Sequence, residues 1–236
     1  MNRTLKVTRL HLNKLSSFLV APLGIVAVVM VVSIIIALAI QRGGSPVDSA
    51  SYVEGARWNS GIVWSLPGFL IYYGVQAVAT TYPFGLALGS TRRDFILGTT
   101  VANILQAAYV AILLVVLLGI ELVTDHWFMS VYVLDVNALG AGNPWILMAS
   151  VFLGVLFCLT IGGLFGSIWV RFGPKGPAIA GLALGVVMAV ALLILAPNLV
   201  ELIFDITAQG LAIAAVAMIV VALGGTWLAM RRASVR

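Results

Sequence analysis

Charge is scarce in this sequence. Asp, Glu, Lys and Arg together make up 9% of its 236 residues, against about 25% in a soluble globular domain. With a mean hydropathy of +1.13, that deficit excludes a soluble domain and makes lipid the solvent. Cysteine is reduced to Cys158, which rules out an intrachain disulfide and, inside an apolar run, says nothing about redox compartment. The nucleotide-cradling G-x-x-x-x-G-K-[ST], the zinc-protease H-E-x-x-H, the hydrolase G-x-S-x-G and heme-type Cys-His motifs are all missing. No polar stretch is large enough to be an ATPase. The apolar runs hold no clear Asp, Glu, Lys or Arg, which counts against proton- or sodium-coupled transport. Alternation of apolar and polar residues is also absent, so the chain predicts helices rather than a barrel. No cleavable signal peptide, internal repeat or low-complexity linker is evident, and 1–236 reads as one transmembrane domain.

What is there is a set of six long apolar runs, near 18–40, 61–84, 95–120, 144–170, 178–195 and 207–230. About 20 mostly apolar residues cross a bilayer as a helix, so the fold class is all-α, a polytopic membrane protein with six spans. Residues 1–17 predict a basic amphipathic helix in the membrane interface. Leu5, Thr8, Leu12, Leu15 and Leu19 share one face and Arg3, Lys6, Arg9 and Asn13 the other, with Leu10 out of pattern; a solvated basic tail is the alternative. Pro67-Gly68 predicts a kink in span 2. Trp58 and Trp64 look like interfacial anchors, and Trp127, Phe128, Tyr132 and Trp145 suggest that the 121–143 loop lies partly along the membrane surface.

The net charge of +5 does not predict nucleic-acid binding, because the basic residues sit at span ends. Six spans put both termini on one side. Of the 13 basic residues, only Arg42 and Arg57 fall on the other side, so the positive-inside rule places both termini and the Arg92-Arg93 turn in the cytoplasm. Every acid except Asp94 then lies outside or at the outer interface.

Polar residues inside the spans are few and regularly spaced. Tyr72, Gln76 and Thr80 form an i, i+4, i+8 stripe on span 2, and Asn103 and Gln106 share a face of span 3. The short link between the spans would let these faces meet, either lining a pathway or joining helices by hydrogen bonds. Gly162-Gly163 with Gly166, and Gly181 with Gly185, offer close-contact faces on spans 4 and 5, candidates for a dimer seam or pathway. Glu201 and Asp205, at i, i+4, are an exposed acid pair or an outer gate. Glu121, Asp125, His126 and Asp135 bring acids and a histidine into one loop. They match no metal-ligand motif and read as solvated side chains.

Between spans 2 and 3 runs YPFGLALGSTRRDFILGT, residues 82–99. Pro83, Gly85 and Gly89 can break or bend the incoming helix, and Thr91 followed by Asp94 is a capping box that starts a new one. Arg92 and Arg93 at that start oppose the helix dipole, so something other than local helix stability favours them. Pro83-Phe84-Gly85-Leu86-Ala87-Leu88-Gly89-Ser90-Thr91-Arg92-Arg93-Asp94-Phe95 resembles the FPFALxLGxTRRDFxxGT stretch of bacterial ABC-2 type transporter permeases. The six spans and the basic N-terminus are similar to that family over the whole chain; the motif covers only this stretch. The resemblance implies a permease of an ATP-driven exporter in the bacterial cytoplasmic membrane, itself not an enzyme. ATP and Mg²⁺ would sit on a separate ABC ATPase subunit, and none would be bound by this chain. A second copy, or a related permease, would complete the path. Residues 85–94, with Gly89, Ser90, Thr91, Arg92, Arg93 and Asp94 at the turn, would be the coupling segment, 1–17 the elbow helix and 197–205 an outer re-entrant segment. The other class left open is a non-transporting membrane module for binding, resistance or immunity, without an ATPase.

Overall fold

A computed structural model of the chain describes residues 3–13, 15–44, 46–47, 49–198 and 207–231. Its helices are α1 (Arg3–Leu12), α2 (Ala21–Arg42), α3 (Ala50–Ala56), α4 (Gly61–Ala79), α5 (Thr81–Ala87), α6 (Arg92–Val123), α7 (Pro144–Phe172), α8 (Lys175–Leu195) and α9 (Ala208–Arg231). No strand occurs among the described residues. Six helical stretches are long and apolar enough to cross a membrane, as the six apolar runs predict. The 22 residues of α2 reach about 33 Å at 1.5 Å per residue, enough for a hydrocarbon core of about 30 Å. Glu201 and Asp205, like the rest of the expected re-entrant segment beyond Asn198, lie outside the described residues.

The chain divides into two compact units, each built from separated segments. One holds Met1–Val7, Ile71–Thr100 and Phe157–Arg236; the other holds Thr8–Leu70 and Val101–Leu156.

In the first unit, span 2 ends in two steps. Pro67 lies inside continuous α4; the break comes instead at Thr80, between α4 and α5. Pro83 accounts for it: its ring crowds the carbonyl four residues back, on Ala79, and it has no N–H to donate. α5 then closes with Gly89 at φ +79°. The Gly89 N–H bonds Leu86 O at 2.9 Å and the Ser90 N–H bonds Gly85 O at 3.1 Å, the paired bonds of a Schellman motif with glycine in the left-handed position. Buried Val7, Val78, Tyr82, Phe95 and Met230 form a core around this corner.

Glycines set the approach of α4 to α7. A Cβ on Gly74 would stand 2.5 Å from Leu159 O, and one on Gly166 would stand 2.7 Å from Val75 O; a Cβ on Gly162 would collide with Ile71 O. The small-residue face of span 4 is therefore consumed within the chain, which corrects its assignment to a dimer seam or pathway. On α8, nothing lies within 4 Å of where a Cβ would sit on Gly181 or Gly185, and Gly176 is the helix's one buried residue.

In the second unit, α2 is preceded by a π-turn at Ser16–Val20. Two side chains of α6 take carbonyls there: Gln106 Nε2 bonds Phe18 O at 2.8 Å and the Tyr109 hydroxyl bonds Leu19 O at 3.1 Å. A side chain inserted into the i→i−4 ladder is a recognised cause of such irregular turns.

The N-terminal helix forms as expected, but its packed face differs. Val7, Thr8 and His11 are the buried residues, while Leu5 and Leu15 stay exposed. Of the predicted stripe Thr8 is buried and Leu12 half-buried, and the packed face is the one that a glycine, Gly98, allows to approach.

Replacing Gly162 with Val is expected to overpack α4 against α7 by about 1–3 kcal/mol or more, since backbone atoms stand in the way. The melting temperature in detergent should fall by roughly 5 °C or more, while Gly185→Val leaves it unchanged.

Candidate functional site

Two places gather polar side chains into defined geometry. The first is the corner between α5 and α6. Thr91 caps α6: its Oγ1 accepts from the Asp94 N–H at 3.1 Å and donates to Asp94 Oδ2 at 2.6 Å, the capping box the sequence predicts. Asp94 Oδ1 also accepts from the Thr4 hydroxyl of α1 at 3.4 Å. Beneath the corner, the Tyr82 and Phe95 rings, both fully buried, meet edge-to-face with centroids 5.1 Å apart, a preferred aromatic geometry. Gly98 lets α1 in; a Cβ there would stand 2.6 Å from Val7 Cβ and 2.8 Å from Thr4 O. Arg92 Nη1 donates to Arg231 O, at the end of α9, at 2.6 Å. Gly89, Thr91, Arg92 and Arg93 are exposed, and Ser90 and Asp94 are half-buried. The arrangement is a small basic surface on a rigid support. Local sequence foretold the cap and the turn. The bracing by α1 and α9 was missed, because contacts between distant segments leave no local pattern beyond Gly98.

The expected pathway residues divide. Asn103 and Gln106 are buried, and the Gln106 amide is committed to Phe18 O. Tyr72 is 61% exposed. Thr80 is exposed and its hydroxyl bonds Gln76 O of its own helix at 2.7 Å, with Gln76 half-buried. These contacts give the Gln106 amide and the Thr80 hydroxyl structural uses.

The second place is the 121–143 loop, where the expectation of solvated carboxylates is corrected. Glu121 is fully buried and Asp135 nearly so; Asp125 alone of the three projects into the open. Glu121 accepts three consecutive backbone N–H groups: Val133 to Oε1 at 3.0 Å, Leu134 to Oε2 at 2.9 Å and Asp135 to Oε1 at 3.1 Å. Successive N–H groups aimed at one carboxylate form an anion-holding nest, and such charge-assisted bonds are the strong ones. Asp135 Oδ2 pairs with Arg57 Nη2 and His126 Nε2, each at 3.0 Å. Tyr132 lies against His126 with ring centroids 4.0 Å apart, and Arg57 sits over the same ring at 5.8 Å. Gly142, at φ +81°, leaves room for Asp135; a Cβ there would be 3.2 Å from its Oδ1. Of the aromatic residues expected at the membrane surface, Trp145 and Phe128 are exposed, as are Trp58 and Trp64. Trp127 and Tyr132 are instead half-buried. Among the described residues, no three His, Cys, Asp or Glu side chains converge as metal ligands.

Between the two acids the backbone runs left-handed. Asp125, His126, Trp127, Phe128 and Ser130 all have φ between 49° and 60°, which costs roughly 1–2 kcal/mol for each residue with a Cβ. Tertiary bonds from Gln41 Nε2 to Met129 O at 2.7 Å and from the Tyr52 hydroxyl to Ser130 O at 3.1 Å hold the segment, together with a local bond from the Val131 N–H to His126 O at 3.0 Å. The signal available in the sequence was Glu121 itself, an acid in the last turn of an apolar helix, where the dipole disfavours it.

Beside this cluster α2, α3 and the loop enclose a cavity of about 480 Å³.

Comparison of the chain with protein-family models, with curated proteins and with solved structures finds no match.

Glu121→Ala strands three buried N–H groups, each worth about 1–3 kcal/mol when left unsatisfied. It should lower the detergent melting temperature more than Asp125→Ala, whose side chain is exposed. Glu121→Gln, which keeps one acceptor oxygen, should fall between. Equal melting of all three would contradict the nest.

Proposed function

We propose that this multi-pass membrane protein is the transmembrane subunit of an ATP-driven exporter of the ABC-2 type, coupled to a separate ATPase through the corner between α5 and α6. The observation that carries this reading is the exposed Arg92-Arg93 pair on a corner braced by buried Tyr82 and Phe95 and by the Asp94–Thr4 bond to α1. A docking surface has to transmit force, and a braced corner moves with its helices rather than bending alone. Basic side chains capped onto a helix start, against the dipole, have a use if acidic groups of a partner meet them. The sequence resemblance of residues 83–95 to ABC-2 permeases points to the same segment.

In this reading both termini and the corner face the cytoplasm of a bacterial inner membrane, as the positive-inside bias suggests. ATP and Mg²⁺ stay on the partner. ATP-driven closure of two ATPase subunits moves the corner, α4 and α6 tilt, and a path opens between two permease copies or between this chain and a related one. Six spans make half of such an assembly. The cluster around Glu121 and Asp135 then lies on the outer side, where it stiffens the loop between spans 3 and 4.

Purification in mild detergent should bring down a stoichiometric soluble ATPase. The double variant Arg92→Glu, Arg93→Glu should insert and melt normally yet stimulate that ATPase at least tenfold less. Recovery of the chain without an ATPase would favour a non-transporting binding module. Undiminished stimulation by the variant would remove the corner from the coupling path.

A further inference from the structure

The cavity beside the outer-loop cluster has a composition that selects its occupant. One wall is α2, where Ser33, Ile36, Ala37 and Ile40 face it over two turns; the other is Tyr52 of α3 with Trp58 and Asn59 of the link that follows it. Ser33 to Ile40 covers about 10 Å of helix, so the cavity runs down the span and is not confined to the loop surface. Ile36 and Ile40 line it yet are 54% and 47% exposed, so its edge is open on the flank that lipid covers. Its volume, about 480 Å³, is in the range of small-molecule sites.

Its polar groups are hydroxyls and one amide. Asn59 Nδ2 bonds Ser33 Oγ at 3.2 Å and Tyr132 O at 2.9 Å, which fixes a polar floor beside a buried serine. Ser49 and Ser51 lie at the α3 end. The Tyr52 hydroxyl is held by Gln41 Nε2 at 3.1 Å and by Ser130 O at 3.1 Å. Among the described residues, those lining the cavity include no Asp, Glu, Lys, Arg or His, and burial pushes the Tyr132 phenol up from its ordinary value. Arg57, next in sequence to the lining residue Ala56, is turned onto Asp135. A charged group in this space would meet no counter-charge on those residues and would lose its hydration.

We propose that this cavity is a binding site for an uncharged amphiphile, with an apolar chain and hydroxyl or carbonyl groups, that enters sideways from the bilayer leaflet at that end of α2. The apolar part lies along Ile36 and Ile40, and the polar part meets Ser33, Asn59 and the serines of α3. The inference rests on α2 spanning the membrane and is independent of the ATPase partner.

The test uses the full chain in phosphatidylcholine nanodiscs and a monoacylglycerol with a photoreactive diazirine in its acyl chain. Saturable labelling is expected on peptides containing 33–40 and 52–59. Excess unlabelled monoacylglycerol should displace it, and a long-chain alkyl sulfate or alkyl trimethylammonium should not. Ala37→Trp, which fills the cavity, should cut labelling at least tenfold, whereas Val31→Trp on the same helix should not. Ile40→Trp, at the open edge where bulk has room, serves if Ala37→Trp fails to fold. Labelling that is non-saturable along α2 and α8 alike, or indifferent to the filling variants, overturns the site. Equal competition by either charged amphiphile overturns the assignment to neutral ligands. Loss of ATPase co-purification with intact labelling would refute the transporter reading and leave this site standing.

Discussion

Every backbone N–H and C=O within the membrane-spanning runs must find a partner without relying on water, and much of the structure follows from that. In hydrocarbon an unpaired backbone group costs several kcal/mol. Helices satisfy the demand internally, which is why the long runs are helical. Where the ladder is irregular, side chains take over. Gln106 and Tyr109 occupy the carbonyls of the π-turn before α2. Thr100 and Thr226 return their hydroxyls to carbonyls of their own helices, and Thr80 and Thr124 do the same to the last turns of the helices they follow, so these hydroxyls add little exposed polarity. Glu121 does the reverse for the loop, accepting the N–H groups of 133–135.

The same demand explains why the two polar centres differ. At the α5–α6 corner the backbone needs are met locally, by the Schellman bonds and the Thr91 cap, and this leaves Arg92 and Arg93 exposed. In the 121–143 loop the backbone is left-handed over several residues with side chains, and local bonds such as Val131 N–H to His126 O are joined by longer-range ones. Groups distant in sequence, Gln41, Tyr52 and Arg57, provide the restraint. The first centre is built for presentation and the second for rigidity.

Close packing supplies what hydrogen bonds do not. Between helices in lipid there is little hydrophobic gain, so contact area and small residues decide which helices touch. Gly74, Gly162 and Gly166 bring α4 and α7 to backbone contact, and Gly98 admits α1. The same residue type on α8 does nothing comparable, since Gly181 and Gly185 face open space. A glycine pair on a helix is therefore ambiguous until its neighbour is known.

Length and hydropathy by themselves determined six membrane-spanning helices, and Thr91, Asp94 and Gly89 determined a capped turn between spans 2 and 3. These depend on residues close in sequence, so they are legible there. The break at Thr80 is also local: Pro83, one of the residues expected to break or bend this helix, acts through the carbonyl four residues behind it, while Pro67 lies inside continuous α4. Tertiary structure decided which face of α1 packs, that the glycines of span 4 join span 2 of the same chain, and that Glu121 and Asp135 are buried, the latter paired with half-buried Arg57 and His126, and not solvated. Those outcomes depend on pairing groups up to some 90 residues apart, as in Thr4 with Asp94 and Arg57 with Asp135. No spacing rule along the chain encodes such a meeting; the packing that creates it does.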